Sequence, residues 1–155
     1  MKRFLMLAAF AALPTAPMAE SHVDSIFAQW SAEPTRIFNA EDVELDDLQW
    51  QLRALVVFGE GVNDPLFLEQ MDLINARIDE LVERDVIIVT DTDTDELSDL
   101  RRELRPRSFM LALISKDGRV AFRKPAPWDV REISRSIDKM PLRQQEIENR
   151  RGTGG

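Results

Sequence analysis

Ala54-Leu55-Val56-Val57-Phe58-Gly59-Glu60-Gly61-Val62-Asn63-Asp64-Pro65-Leu66 is the stretch whose reading decides the fold. Its first five residues form a continuous apolar run with two β-branched members, closed by two glycines, which reads as a strand buried on both faces. Asp64 can then accept a free helix N–H through its carboxylate, and Pro65 suits the first helical position because its missing N–H would be unpaired there. Beyond it Phe67, Met71, Ile74, Ile78 and Leu81 recur at alternating four- and three-residue steps. That spacing puts them on one face and predicts a helix running to about Arg84.

Downstream, Val86-Ile87-Ile88-Val89 reads as a second buried strand, and Asp93 with Glu96 resembles a capping pair that opens a short helix ending near Leu104. Phe109 to Ile114 and Val120 to Phe122 flank the tight turn Lys116-Asp117-Gly118-Arg119, a hairpin in which Gly118 supplies positive φ. A helix follows Pro127 with Val130, Ile133, Ile137 and Met140 on one face; Pro141 ends it and starts a polar helix through Asn149. Upstream, residues 20–47 mix small apolar clusters with acids and predict a loosely structured lead-in with at most one short helix. Continuous apolar strands separated by helices need a sheet covered on both faces. The expectation is an α/β, thioredoxin-like three-layer sandwich with a mixed four-stranded sheet over 48–149, and a disordered tail at 150–155.

The N-terminus carries a different signal. Lys2 and Arg3 precede the apolar stretch Phe4 to Leu13 and a small-residue end at Pro14 to Ala19, the layout of a secretory signal peptide over 1–19 cleaved after Ala19. The apolar stretch is shorter than the roughly 20 residues that span a bilayer, so no stable membrane insertion is expected after cleavage. A periplasmic or secreted location follows. The chain has no cysteine, so burial alone must stabilise it in a compartment where small domains often use disulfides.

The formal net charge is −8, which disfavours nucleic acid as a partner. The charge is unevenly placed: residues 20–99 hold 4 basic and 21 acidic side chains, residues 100–155 hold 14 and 7. Two readings stand: acidic and basic elements lie side by side and neutralise one another, or one of them forms a surface for a charged partner.

Three stretches are similar to a bacterial family called domain of unknown function 4174: Leu48 to Phe58, with Trp50 and Arg53 ahead of the first strand; Leu113 to Gly118 followed by Arg123; and Ile137-Asp138-Lys139-Met140-Pro141-Leu142-Arg143-Gln144-Gln145-Glu146. Ser115 and Leu142 depart from that family's more frequent Gly and Met. The resemblance, which extends to domains of some animal extracellular-matrix proteins, implies a thioredoxin-like domain and no particular activity. Thioredoxins place Cys-Gly-Pro-Cys where this chain has Asn63-Asp64-Pro65-Leu66, so the proline remains and both thiols are gone.

Dithiol exchange and peroxidatic catalysis need a thiolate, which this chain does not have. Its one histidine, His22, lies close to the expected cleavage point, a poor place for a triad or zinc site. Asp91-Thr92-Asp93-Thr94-Asp95-Glu96 begins like a calcium loop but has Glu96 where that loop needs glycine and Arg102 where it needs Glu. No metal, cofactor or catalytic residue is therefore assigned. Arg123, Asp138, Arg143, Gln144 and Glu146 are the candidate partner-binding set, with the alternative that they dock together and pin the C-terminal segment. Trp50 and Trp128 read as core or rim anchors. The functional expectation is a noncatalytic exported binding or scaffold domain for an unknown protein or small ligand; the alternative is an enzyme using carboxylate or metal chemistry near the vestigial turn Asn63-Asp64-Pro65-Leu66.

Overall fold

The computed structural model describes residues 25–152. The signal segment and His22 lie outside them. Among the described residues no helix is long and apolar enough to cross a membrane.

The central strand β2 (Arg53–Phe58) and its parallel neighbour β3 (Val86–Asp91) form where the apolar runs predict them, in register from Arg53↔Val86 to Phe58↔Asp91. On the other side β2 pairs antiparallel with β4 (Met110–Ile114), and β4 with β5 (Val120–Lys124) across a turn in which Gly118 has φ 80°. The sheet has a fifth strand that the sequence reading did not anticipate. β1 (Ile37–Asn39) lies parallel to β3 at the far edge, giving the order β1-β3-β2-β4-β5. This is a thioredoxin-like fold with five strands rather than four.

The lead-in is accordingly part of the domain. Ile26 and Trp30 on helix α1 (Ile26–Ala32), then Phe38, Ala40 and Val43, are buried in the same core layer as Leu100 and Leu104. A three-residue strand with exposed Ile37 and Asn39 has no readable period; it becomes a strand by completing hydrogen bonds offered by β3.

Alternate residues of β2 face opposite layers, as period two requires. Ala54, Val56 and Phe58 join α1, the short α2 (Leu45–Leu48) and α5 (Asp99–Leu104) on one face; Leu55 and Val57 join α3 (Pro65–Ala76), α4 (Ile78–Val82) and α6 (Val130–Asp138) on the other. The helix predicted from Pro65 to Arg84 is two helices, α3 (Pro65–Ala76) and α4 (Ile78–Val82). Arg77 between them leaves helical geometry at φ −145° and ψ 31°. Ile74 and Leu81 on either side are both fully buried. Helix α5 (Asp99–Leu104) is capped by Ser98, which accepts the Arg101 N–H at 3.0 Å, and not by Asp93. Asp93 instead accepts the Asp95 and Glu96 N–H groups in the preceding turn. Helix α6 (Val130–Asp138) is capped by Asp129, and α7 (Pro141–Gly152) continues beyond Asn149 into the stretch expected to be disordered.

Gln70 on α3, fully buried, holds the chain entering α6: its amide nitrogen donates to the Trp128 carbonyl at 3.1 Å and its oxygen accepts the Trp128 N–H at 2.7 Å. Trp128 meets Phe122 edge-on at 5.0 Å and anchors the rim as expected. Trp50 does not. It has φ 66° and the residue is 64% exposed: its backbone N–H donates to the Lys116 carbonyl at 2.6 Å and the side chain turns to solvent.

Candidate functional site

Pairing places the carboxyl ends of β1, β3 and β2, the start of β4 and the end of β5 at one pole of the sheet: Asn39, Asp91, Phe58, Met110 and Lys124. The turn from Gly59 to Leu66 caps the middle of that pole. Asp64 holds it, one carboxylate oxygen accepting the Glu60 N–H at 3.0 Å and the other the Leu66 N–H at 2.9 Å. The Glu60 amide first, then those of Leu66 and Phe67, hold the Asp64 carboxyl below its usual range against a modest burial penalty. Asn63, Pro65 and Leu66 are exposed.

Beneath the turn lies a buried ion pair that the sequence reading did not single out. Arg101 Nη2 is 2.8 Å from an Asp91 carboxylate oxygen, and it also donates to the carbonyls of Asp91 and Gly59 at 3.0 and 3.1 Å. The other Asp91 oxygen accepts the Ser98 hydroxyl at 2.6 Å. Asp91 opens the alternating carboxylate run in sequence, but its charge is directed inward to Arg101 rather than grouped with Asp93 and Asp95. Among the described residues no group of three or more histidine, cysteine, aspartate or glutamate side chains is placed to hold a metal.

The two flanks of the pole differ in sign. On the β1 side a cleft of about 340 Å³ is lined by Glu41, Glu44, Asp46, Asp99 and Glu103. On the β5 side a second cleft of about 340 Å³ is lined by Arg105, Arg107, Arg123 and Lys124 with Phe109 and Pro125.

At the opposite pole the C-terminal candidates meet. Arg53, 0% exposed, reaches Glu146 through Nη2 at 3.0 Å and the Arg84 carbonyl through Nη1 at 2.8 Å. Lys116 lies 3.0 Å from Glu146 and 2.8 Å from Asp85. Arg143 is buried, donating to Glu146 at 3.2 Å and to the Glu83 carbonyl at 3.3 Å. Asp138 forms two hydrogen bonds with Arg84 at 2.9 and 2.8 Å, and Gln144 donates to the Asp138 carbonyl. Burial pushes the Glu146 carboxyl up, but hydrogen bonds from Arg53 and Lys116 and their charges outweigh it and hold it below its usual range. Arg84 does the same for Asp138, and Asp138 in turn raises Arg84. Four of the five candidates therefore tie α7 and the end of α6 to each other, to Arg53 of β2 and to the Glu83–Arg84 turn ahead of β3, which is the pinning alternative. Arg123 is not among them; it stands exposed at the other pole, in the basic cleft.

Residues 44–146 match the sequence profile of the family described as domain of unknown function (DUF4174). The chain belongs to that family. No functionally curated protein matches it. Among solved structures it is similar to thioredoxin peroxidase I from Plasmodium yoelii, at 18% identity and TM-score 0.48 over 66% of this chain and 80% of that one. A second is the mitochondrial 2-Cys peroxiredoxin from Plasmodium falciparum, at 18% identity and TM-score 0.42 over 65% and 84%. The thioredoxin-like assignment of this DUF4174 domain rests on its own strand order and register.

Arg53 and Lys116 belong to stretches that carry the DUF4174 resemblance, and an arginine opening an otherwise apolar strand was a readable sign of a buried charge. Arg101 gave no comparable sign, since it sits in a charged helix whose Arg102 is exposed. The grouping of Arg105, Arg107 and Arg123 depends on β4 and β5 folding back and has no local signature.

Proposed function

We propose that this DUF4174 chain is a noncatalytic binding or scaffold domain of the periplasm or cell exterior, presenting a ligand surface at the β2 turn pole. The observation that carries the reading is the disposition of the polar groups there. Both oxygens of Asp64 accept backbone N–H groups, and both oxygens of Asp91 are engaged by Arg101 and Ser98. A general acid or base needs a proton-accepting atom free to reach substrate, and these two carboxylates are held as structural acceptors. The redox positions are Asn63 and Leu66, so what the pole offers is shape and charge.

The export part of the reading rests on the Lys2 to Ala19 pattern. Mass spectrometry of the protein recovered from the envelope fraction of its host should give an N-terminus at Glu20. The binding part is tested by isolating the chain from that fraction under native conditions, beside an Asn63→Lys, Leu66→Asp, Arg123→Glu variant of unchanged circular dichroism, which alters the turn and its basic flank together. A molecule held by the wild type and lost from the variant is expected. Glu60 is the exposed carboxylate on the same turn; turnover of an ester, phosphoester or peroxide substrate by the purified chain, abolished in Glu60→Gln, would establish the carboxylate enzyme in its place.

A further inference from the structure

We propose that the cleft between the Arg105–Phe109 loop and the end of β5 is the binding site for a small organic anion, with a carboxylate or phosphate head and an apolar body. This deepens the binding-domain reading and rests on it.

The first support is where the unneutralised charge lies. Residues 100–155 contain 14 basic side chains, and seven of these form ion pairs among the described residues. Of the seven without a carboxylate partner there, four line this one cleft: Arg105, Arg107, Arg123 and Lys124. No acidic residue lines it. In a chain of net charge −8, four cations around one cavity with no acidic side chain lining it repel one another and are stabilised by an anion entering between them.

The second support is the construction of the walls. Arg105 ends α5 in the left-handed conformation, φ 51° and ψ 57°, with its N–H on the Arg101 carbonyl at 2.9 Å. That conformation costs a side-chain-bearing residue about 1 kcal/mol relative to glycine, yet arginine is the residue there. Its turn carries the loop across to β4. Lys124 is fixed at the rim by Trp128, its ammonium 4.1 Å from the ring centroid, and Trp128 is itself clamped by Gln70. Phe109 and Pro125 add apolar wall.

Chemistry and size then choose the occupant. Guanidinium groups present paired N–H donors that match the two oxygens of a carboxylate or phosphate. A volume of about 340 Å³ is at the small end for ligand pockets and suits a molecule rather than a folded partner. The apolar wall favours an anion with a hydrocarbon or aromatic body over a bare inorganic ion, and the acidic flank across the turn disfavours a polyanion such as nucleic acid.

The test is a two-dimensional amide NMR titration of the full chain with phenyl phosphate, hexanoate, inorganic phosphate and a hexaglutamate peptide. Saturable shifts confined to residues 105–125 are expected with phenyl phosphate or hexanoate. Binding should weaken about tenfold in Arg107→Gln and again in Arg123→Gln, because each removes one charge-assisted donor pair. Both variants alter exposed side chains and should keep the wild-type unfolding midpoint. Which of the two probes binds more tightly separates phosphate from carboxylate. Shifts that do not saturate, or equal affinity in the variants, overturn the site. Tighter binding of hexaglutamate than of either small anion overturns it in favour of an acidic peptide. A ligand that shifts only residues 59–66 overturns the cleft and leaves the binding-domain reading intact, whereas release of phenol from phenyl phosphate overturns that reading.

Discussion

Arg53 and Glu146, 93 positions apart, meet at 3.0 Å beneath helix α7, and the arginine is wholly removed from solvent. The pair is where the central strand β2 and the last helix α7 are joined. Glu146 also serves Lys116 and Arg143, so the two members are not equivalent.

Removing the carboxylate should therefore hurt more than removing the guanidinium. Glu146→Ala leaves Arg53 buried with only the Arg84 carbonyl and is expected to cost about 2–4 kcal/mol, discounted for the partial exposure of Glu146. Arg53→Met keeps the volume apolar and leaves Glu146 two cations, so its cost is about 1–2 kcal/mol. Urea unfolding of both variants checks the order; a larger loss in Arg53→Met contradicts it.

Acid should loosen the same end of the molecule. Folded Glu146 and Asp138 titrate below their ordinary values of 4.5 and 3.8, so in acid the unfolded chain binds more protons than the folded one. Stability from these groups is complete above the unfolded values and is lost as pH falls through the folded ones. The thermal midpoint should hold from neutrality to about pH 5 and then fall, with a shallower fall in Glu146→Gln from a lower starting point. Differential scanning calorimetry across that range measures both slopes.

Arg101→Lys tests the brace under the turn. A lysine supplies one point charge where the guanidinium bonds Asp91 and two carbonyls together. A loss of about 2–4 kcal/mol is expected, with faster amide exchange at Gly59 to Phe67. Exchange that accelerates uniformly across the domain would show that the turn is held by something else.

Gly59→Ala probes the close approach of α3 to that turn. A Cβ at position 59 would lie 3.0 Å from the Phe67 Cβ, a contact that forces the helix or turn to shift at about 1–3 kcal/mol. Gly152→Ala meets open space and should cost nothing. A pair of chemical-denaturation curves separates them.

Phe38→Ala asks whether β1 belongs to the core. Phe38, on β1, is buried in the core layer that also holds Ile26 and Trp30 of α1, and truncating a buried phenylalanine costs about 3–5 kcal/mol. A variant as stable as the wild type would return residues 25–43 to the status of a loose lead-in.

Part of the charge asymmetry along the chain is neutralised inside the fold. Asp91–Arg101, Asp85–Lys116 and Arg53–Glu146 join an acidic-half residue to a basic-half one or the reverse, which is mutual neutralisation. Two further groups of charge line an acidic and a basic cleft on opposite sides of one turn.

By itself the sequence determined the thioredoxin-like class, the strands β2 to β5, the Asp64 cap, the glycine of the hairpin and the absence of thiol chemistry. Each is a local property: an apolar run, a capping side chain, a required φ, or a missing element. Tertiary structure alone decided that Ile37–Asn39 is a strand, that Arg143 and Glu146 face inward while Arg123 faces out, and that Arg105, Arg107 and Arg123 share a cleft. Those outcomes depend on which residue another segment brings alongside, and hydrogen bonds and Coulomb attraction between distant segments come into being only once the backbone has closed.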